Sequence, residues 1–285
     1  MNTLRKERIH YYYIIISAIL FTFLFNGCST THKVIKSKSV NQTAHLLNQN
    51  VLAVLWYQRS AEVRALYYQA FNMAHNRLDE ILKNDTTGKK KAVVVDIDET
   101  VLNNSPYQAM NIIDTVSYPT RWKQWTAAAR AKATPGSVNF LSYAVDHGVD
   151  VYYVTNRGVD EQDGTLKNLK ELGFPQAEKS HLLLKTLTSD KTKRRKSIEK
   201  THNIVLLCGD NLGDFSQNFQ HKSSDQRNLL VEQNKSKFGN MFIVLPNPMY
   251  GEWEGTTYQY NWGMTDEQKA RDRIKSLNYF HINDK

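Results

Sequence analysis

AVVVDIDETVL, Ala92 to Leu102, brings two carboxylates, Asp96 and Asp98, to the end of a short apolar run. Ala92 to Val95 are all apolar and three of the four are β-branched, the pattern of a strand buried on both faces in a parallel sheet. Acids at the end of such a strand fall in the crevice where open α/β sheets bind ligands. An Asp-x-Asp pair also suits a turn or a helix cap. What favours a site is that matching parts follow along the chain in order.

Working outward, Val63, Leu66, Tyr67, Ala70, Ala74, Leu78, Ile81 and Leu82 recur mostly at spacings of three and four, predicting a helix before the strand, with Ser60 placed to cap it. After the strand, helices are predicted over Ser137 to His147, Asp163 to Leu172 and Lys191 to Lys200, and strands over Val149 to Val154, Asn203 to Cys208 and Met241 to Leu245. Strands alternating with helices of about ten residues imply right-handed crossovers. The expected fold is therefore α/β, a doubly wound parallel sheet. Residues 103–135 form an aromatic-rich insertion, read as part of a helical lid. Residues 44–285 are read as one folded domain.

The chain has 285 residues, 41% apolar and 11% aromatic, enough to bury a full core. Arg5, Lys6 and Arg8 precede fifteen uncharged residues, Tyr11 to Phe25, the layout of an export signal over residues 1–27. A spanning helix wants about 20 apolar residues, more than this run supplies. LFNGC, Leu24 to Cys28, resembles a lipoprotein signal cleaved before a cysteine that is then lipidated, which would anchor the chain to a lipid membrane. Ser29 after Cys28 resembles the outer-membrane sorting pattern. Residues 28–43 read as a flexible tether. Removing Arg5, Lys6, Arg8 and Glu7 takes the formal charge from +9 to about +7. The excess reads as a basic surface that also attracts anionic phosphorylated molecules or lipid headgroups. Scattered Lys and Arg with no recognition motif argue against a nucleic-acid polymer as partner. Cys208, the other cysteine, reads as a packed strand residue. The oligomeric state is open, a homodimer included.

Asp96 and Asp98, then Thr155-Asn156-Arg157, then Lys191, then Asp210 with Asp214 in CGDNLGDF fall at successive strand ends or in the loops after them. In that order they resemble the four motifs of the haloacid dehalogenase superfamily. More closely, DIDETVLNNSPYQ, TNR, LLLK followed by SDKTKRR, GDNLGDF and LPNPMYGEWEG resemble the class C acid phosphatases, outer-membrane lipoproteins that hydrolyse phosphomonoesters. The likeness runs from about Asn48 to Phe280.

Uncatalysed phosphate-monoester hydrolysis is among the slowest reactions known, so a catalyst must neutralise charge, align a nucleophile and protonate the leaving oxygen. A carboxylate nucleophile meets the second demand through an aspartyl-phosphate, and Asp96 is the candidate. Asp98, two residues on and facing the same side of an extended chain, is the candidate general acid and later base. Its need for a proton predicts activity at mildly acidic pH. The resemblance implies one Mg²⁺ per chain, held by Asp96, Asp210 and the backbone carbonyl of Asp98, with Asp214 a nearby carboxylate that ligates or orients metal-bound water. Gly213 stands where many relatives carry an acid, a departure that touches none of these ligands. Thr155 and Lys191 suit phosphate oxygens, and Asn156 completes the motif with Arg157 as a further candidate. KTKRRK holds five cations, so Lys193 or Lys185 remain alternatives to Lys191, as does a solvated helix face.

A calcium loop is excluded because Val101 occupies the position that needs Gly, and no nucleotide-triphosphate loop is present. Trp122, Trp125, Tyr250 and Trp253 lie in the two segments able to overhang the crevice. The resemblance makes Tyr250 the candidate for stacking on a nucleobase or aryl group, with Trp122 or Trp125 opposite; taken singly, each aromatic reads first as core or lid packing. Phosphoryl transfer to an acceptor alcohol, or an inert lipoprotein of phosphatase fold, are the rival readings.

Overall fold

The computed structural model describes residues 41–86 and 88–280. The export signal, Cys28 and the tether up to residue 40 lie outside the described residues. In chain order the main elements are α1 (Val51–Arg59), α2 (Ala61–Lys83), β1 (Lys91–Val95), β2 (Leu102–Asn103), α3 (Ser105–Ile113), α4 (Trp122–Ala128) and β3 (Lys132–Ala133). There follow α5 (Ser137–Asp146), β4 (Val149–Gly158), α6 (Gln162–Glu171), β5 (Leu182–Lys185), α7 (Thr192–Glu199) and β6 (Asn203–Gly209). The chain continues through α8 (Ser224–Gln233), β7 (Phe242–Val244), α9 (Glu252–Thr257) and α10 (Asp266–Lys275).

Five strands form one parallel sheet in the order β5-β4-β1-β6-β7, so the strand carrying the Asp-x-Asp pair is central. Its alternation decides the layers. Val93 and Val95 face a core built from Tyr67, Phe71, Ala74 and Leu78 of α2 and Phe140, Leu141 and Ala144 of α5. Ala92 and Val94 face the other side, with Ile198 of α7, Leu207 and Phe242. Both faces of β1 are thus covered, which is why the run needs no polar residue until it ends at Asp96.

The Ser60 hydroxyl accepts the Val63 amide and starts α2, as its position predicts. Gly148 and Gly173 end α5 and α6 with φ of +77° each, a left-handed turn that side chains with Cβ resist. Ordered chain starts before Ala44: residues 41–48 are helical, Gln42 Nε2 donates to Glu267 at 2.8 Å, and Thr43 bonds Asp266. Gln42 and Thr43, which composition assigns to the end of the tether, are therefore docked on α10. Among the described residues, no helix is long and apolar enough to cross a membrane.

The 103–135 insertion is helical and aromatic, and it is pinched at its base by the antiparallel pair β2–β3, Leu102 against Ala133. Its α4 rests on α6 at Gly164. A Cβ there would lie 2.4 Å from the Thr126 carbonyl oxygen, so the close approach requires glycine.

Candidate active site

The chain leaves β1 through a tight turn. Asp96 N donates to the Cys208 carbonyl at 2.9 Å, Leu102 N to Ile97 O at 2.9 Å and Glu99 N to Leu102 O at 2.8 Å. This reversal sets Asp96 at the sheet's carboxyl edge, beside the end of β6 where Asp210 and Asp214 follow. Gly209 makes room: a Cβ on it would sit 2.3 Å from Asp214 Oδ2. One carboxylate oxygen from each of Asp96, Asp210 and Asp214 lies within 4.8 Å of the others.

Lys191, directly before α7, is 3% exposed and its ammonium bonds Asp96 Oδ1 and, at 2.7 Å, Asp214 Oδ1. Of the basic run, this is the cation that meets the acids. Lys193 is exposed. Arg194 donates to the Thr155 carbonyl and to Asn156 Oδ1 at 2.7 Å, while Arg195 holds the Asp214 carbonyl at 2.8 Å. Lys191 is thus distinguished from Lys193, while Arg194 and Arg195 brace the loops that carry the site.

With all three carboxylates ionised, the one ammonium among them would leave two negative charges uncompensated. Burial pushes the Asp96 carboxyl up to about 7, with Asp214 and Asp98 adding to the rise and Lys191 opposing it. Burial, then Asp214 and Asp96, likewise hold Asp210 well above the usual carboxylate range. Lys191 loses solvation, yet Asp214 and Asp96 outweigh that and raise it, so it stays charged. All-oxygen donors with a deficit of two positive charges fit one hard divalent cation. Asn247 Nδ2 donates to Asp210 Oδ2 at 2.8 Å and orients it from the segment after β7.

Asp98 follows a different course. Its carboxylate is outside the trio and is gripped by Arg157 and by Asn104 Nδ2 at 2.8 Å. Arg157 is 2% exposed and directs its donors to Asp98, Thr165 and Asn104, so it orients Asp98 from within the wall. The Thr155 hydroxyl is buried and accepts the Arg157 amide at 3.1 Å, and Asn156 is exposed at the rim.

The aromatic residues fall into two groups by their contacts. Trp125 Nε1 donates to Asn104 Oδ1 at 2.8 Å, and Trp122 packs edge-on to Tyr107, with Arg157 5.7 Å from its ring centroid. Tyr250 is half-buried and its hydroxyl bonds Glu99, while Trp253 donates to the Tyr250 carbonyl. Cys208 is buried in β6, and burial pushes its thiol far up, as a packed strand residue requires. Glu99, Asn104 and Asn247 carry contacts that motif reading passes over. Their signal was at most their adjacency to Asp98 and their place in the DIDETVLNN and LPNP runs.

Comparisons with known proteins agree with this arrangement. The class C acid phosphatase of Bacillus anthracis superposes with a TM-score of 0.81 at 46% identity, over 83% of this chain and all of that one. The same protein with tungstate bound gives 0.80 at 45%. The Glycine max stem 28 kDa glycoprotein is 28% identical over 171 residues, and acid phosphatase 1 of Solanum lycopersicum 26% over 171. These alignments take in 56% and 55% of this chain, and 60% and 57% of those relatives' own lengths. The family model described as "HAD superfamily, subfamily IIIB (Acid phosphatase)" matches residues 24–253, and the chain belongs to that family.

Proposed function

We propose that this chain hydrolyses phosphomonoesters through an aspartyl-phosphate on Asp96, with Mg²⁺ as cofactor. The observation that carries the reading is the convergence of Asp96, Asp210 and Asp214, with the buried Lys191 ammonium bonded to two of them. The relative with tungstate bound supports an oxyanion as the ligand class.

Asp96, Asp210 and Asp214 would hold the metal ion, which supplies positive charge against phosphate oxygens and carboxylates when bound. Lys191, bonded to Asp96 and Asp214, would neutralise phosphate charge, and Thr155 offers a hydroxyl. A carboxylate oxygen of Asp96 forms a bond to phosphorus as the ester P–O bond breaks, and Asp98 gives its proton to the departing alkoxide. Asp98 then takes a proton from water, whose oxygen bonds to phosphorus and releases Asp96 with inorganic phosphate. Arg157 and Asn104 aim Asp98 for both transfers.

Substrates with a flat ring are favoured, 5′-nucleotides and aryl phosphates, stacked on Tyr250 with a tryptophan of α4 opposite. The chain works outside the cytoplasmic membrane, tethered by lipidated Cys28. A chromogenic aryl phosphate assayed with and without Mg²⁺ tests the activity: turnover that chelation stops and Mg²⁺ restores is expected. Absence of turnover with the metal present would leave the inert lipoprotein reading. Incorporation of labelled lipid, lost in Cys28→Ser, tests the anchor.

A further inference from the structure

Glu99 stands next to Asp98 yet is fully buried, and its φ of +56° lies in the left-handed region that residues with a Cβ rarely adopt. Such a conformation persists where surrounding contacts over-determine it. Here those contacts come from the following turn and from a distant segment. The Asn104 amide donates to Oε1 at 2.7 Å, and the Tyr250 hydroxyl, 151 residues away in sequence, donates to Oε2. From below, the Tyr67 hydroxyl donates to the Glu99 carbonyl, and Tyr57 bonds Tyr67.

Asn104 extends the link. Its Oδ1 accepts Trp125 Nε1 at 2.8 Å, and its Nδ2 reaches Glu99 Oε2 at 3.4 Å. One buried carboxylate thus links Tyr250 directly and Trp125 through Asn104.

We propose that Glu99 is a positioning residue for substrate selection, fixing the separation of Tyr250 and Trp125 and so the slot that takes the ring of an aryl or nucleoside phosphate. The proposal rests on the stacking reading given above. Asn104 also bonds Asp98, so a change at Glu99 reaches every substrate through the acid, and its selective part is read from the ratio between substrates with and without a ring.

The test measures kcat and KM with an aryl phosphate, a nucleoside 5′-monophosphate and glycerol phosphate, in the full chain with Mg²⁺ present. The variants are Tyr250→Phe, Glu99→Gln, their combination, and Tyr250→Ala. Tyr250→Phe keeps the ring and removes only the hydroxyl that bonds Glu99. Tyr250→Phe and Glu99→Gln should each lower the ratio of kcat/KM for ringed over ringless substrate by roughly fivefold to tenfold, chiefly through KM. The combined variant should lose no more than Glu99→Gln alone, since the Tyr250 bond is one of the contacts Glu99 makes. Multiplying effects, or an equal loss on glycerol phosphate, would overturn the proposal. A ratio lowered by Tyr250→Ala but not by Tyr250→Phe would overturn the Glu99 link while leaving stacking intact. A ratio unmoved by Tyr250→Ala would overturn both. Should Glu99→Gln fail to fold, Tyr250→Phe decides, because it leaves the buried carboxylate in place.

Discussion

Two nitrogens of the Arg157 guanidinium hold one oxygen of Asp98, Nε at 3.0 Å and Nη2 at 2.8 Å from Oδ1, while Nη1 bonds Thr165 at 3.0 Å. A planar guanidinium fixes the direction of the group it bonds, which a lysine ammonium does not. Arg157→Lys should therefore lower kcat at least tenfold with the fold retained. Arg157→Ala leaves Asp98 and Thr165 without their partner and should cost about 3 kcal/mol of stability. Steady-state kinetics and chemical denaturation check the two halves.

Gly209 is the residue that lets Asp214 approach. The Cβ of an alanine would lie 2.3 Å from Asp214 Oδ2 and 2.5 Å from its Cβ, so Asp214 must move away from Lys191. Gly209→Ala should raise the Mg²⁺ concentration for half-maximal activity at least tenfold and destabilise by about 1–3 kcal/mol. A metal titration of activity indistinguishable from wild type would contradict this.

At the far end of β4, Asp150 accepts Gln176 Nε2 and His202 Nε2, each at 2.8 Å. Burial pushes its carboxyl up, but the bonds from Gln176 and His202 prevail and hold it below the ordinary range. A carboxyl lowered by folding stabilises above its unfolded pKa, and that contribution disappears as pH falls through the folded value. Asp150→Asn should melt below wild type at pH 6 to 7, with the difference closing below about pH 3. Melting curves across that range check it.

Gly164→Ala should loosen the insertion. The new Cβ would meet Thr126 O at 2.4 Å and Ala127 Cα at 2.9 Å, backbone atoms that yield only if α4 shifts. Earlier proteolytic cleavage within 103–135 and a raised KM for aryl phosphates are expected, with stability lower by about 1–3 kcal/mol.

The central strand, its flanking helices and the acids at strand ends were legible because period and apolar runs report burial directly. Lys191 was legible by register, though only its burial between Asp96 and Asp214 separates it from Lys193. Leu182–Lys185 was quoted as a motif without being read as a strand: four residues between loops show no period. The helices Ser224–Gln233 and Asp266–Lys275 carry few apolar residues, so only the caps Ser223 and Thr265 mark them. Arg157 and Glu99 act on other side chains, and such pairings across 59 and 151 residues leave no trace in a single sequence.

The covalent step on Asp96 is the claim on which the rest turns. Acid quenching of the enzyme during turnover of a substrate with radiolabelled phosphate, followed by peptide mapping, tests it most directly. The label should appear on the peptide holding Asp96, and Asp96→Asn should carry none and show no turnover while melting as a folded protein. Label on another residue, or full activity in Asp96→Asn, would contradict the account.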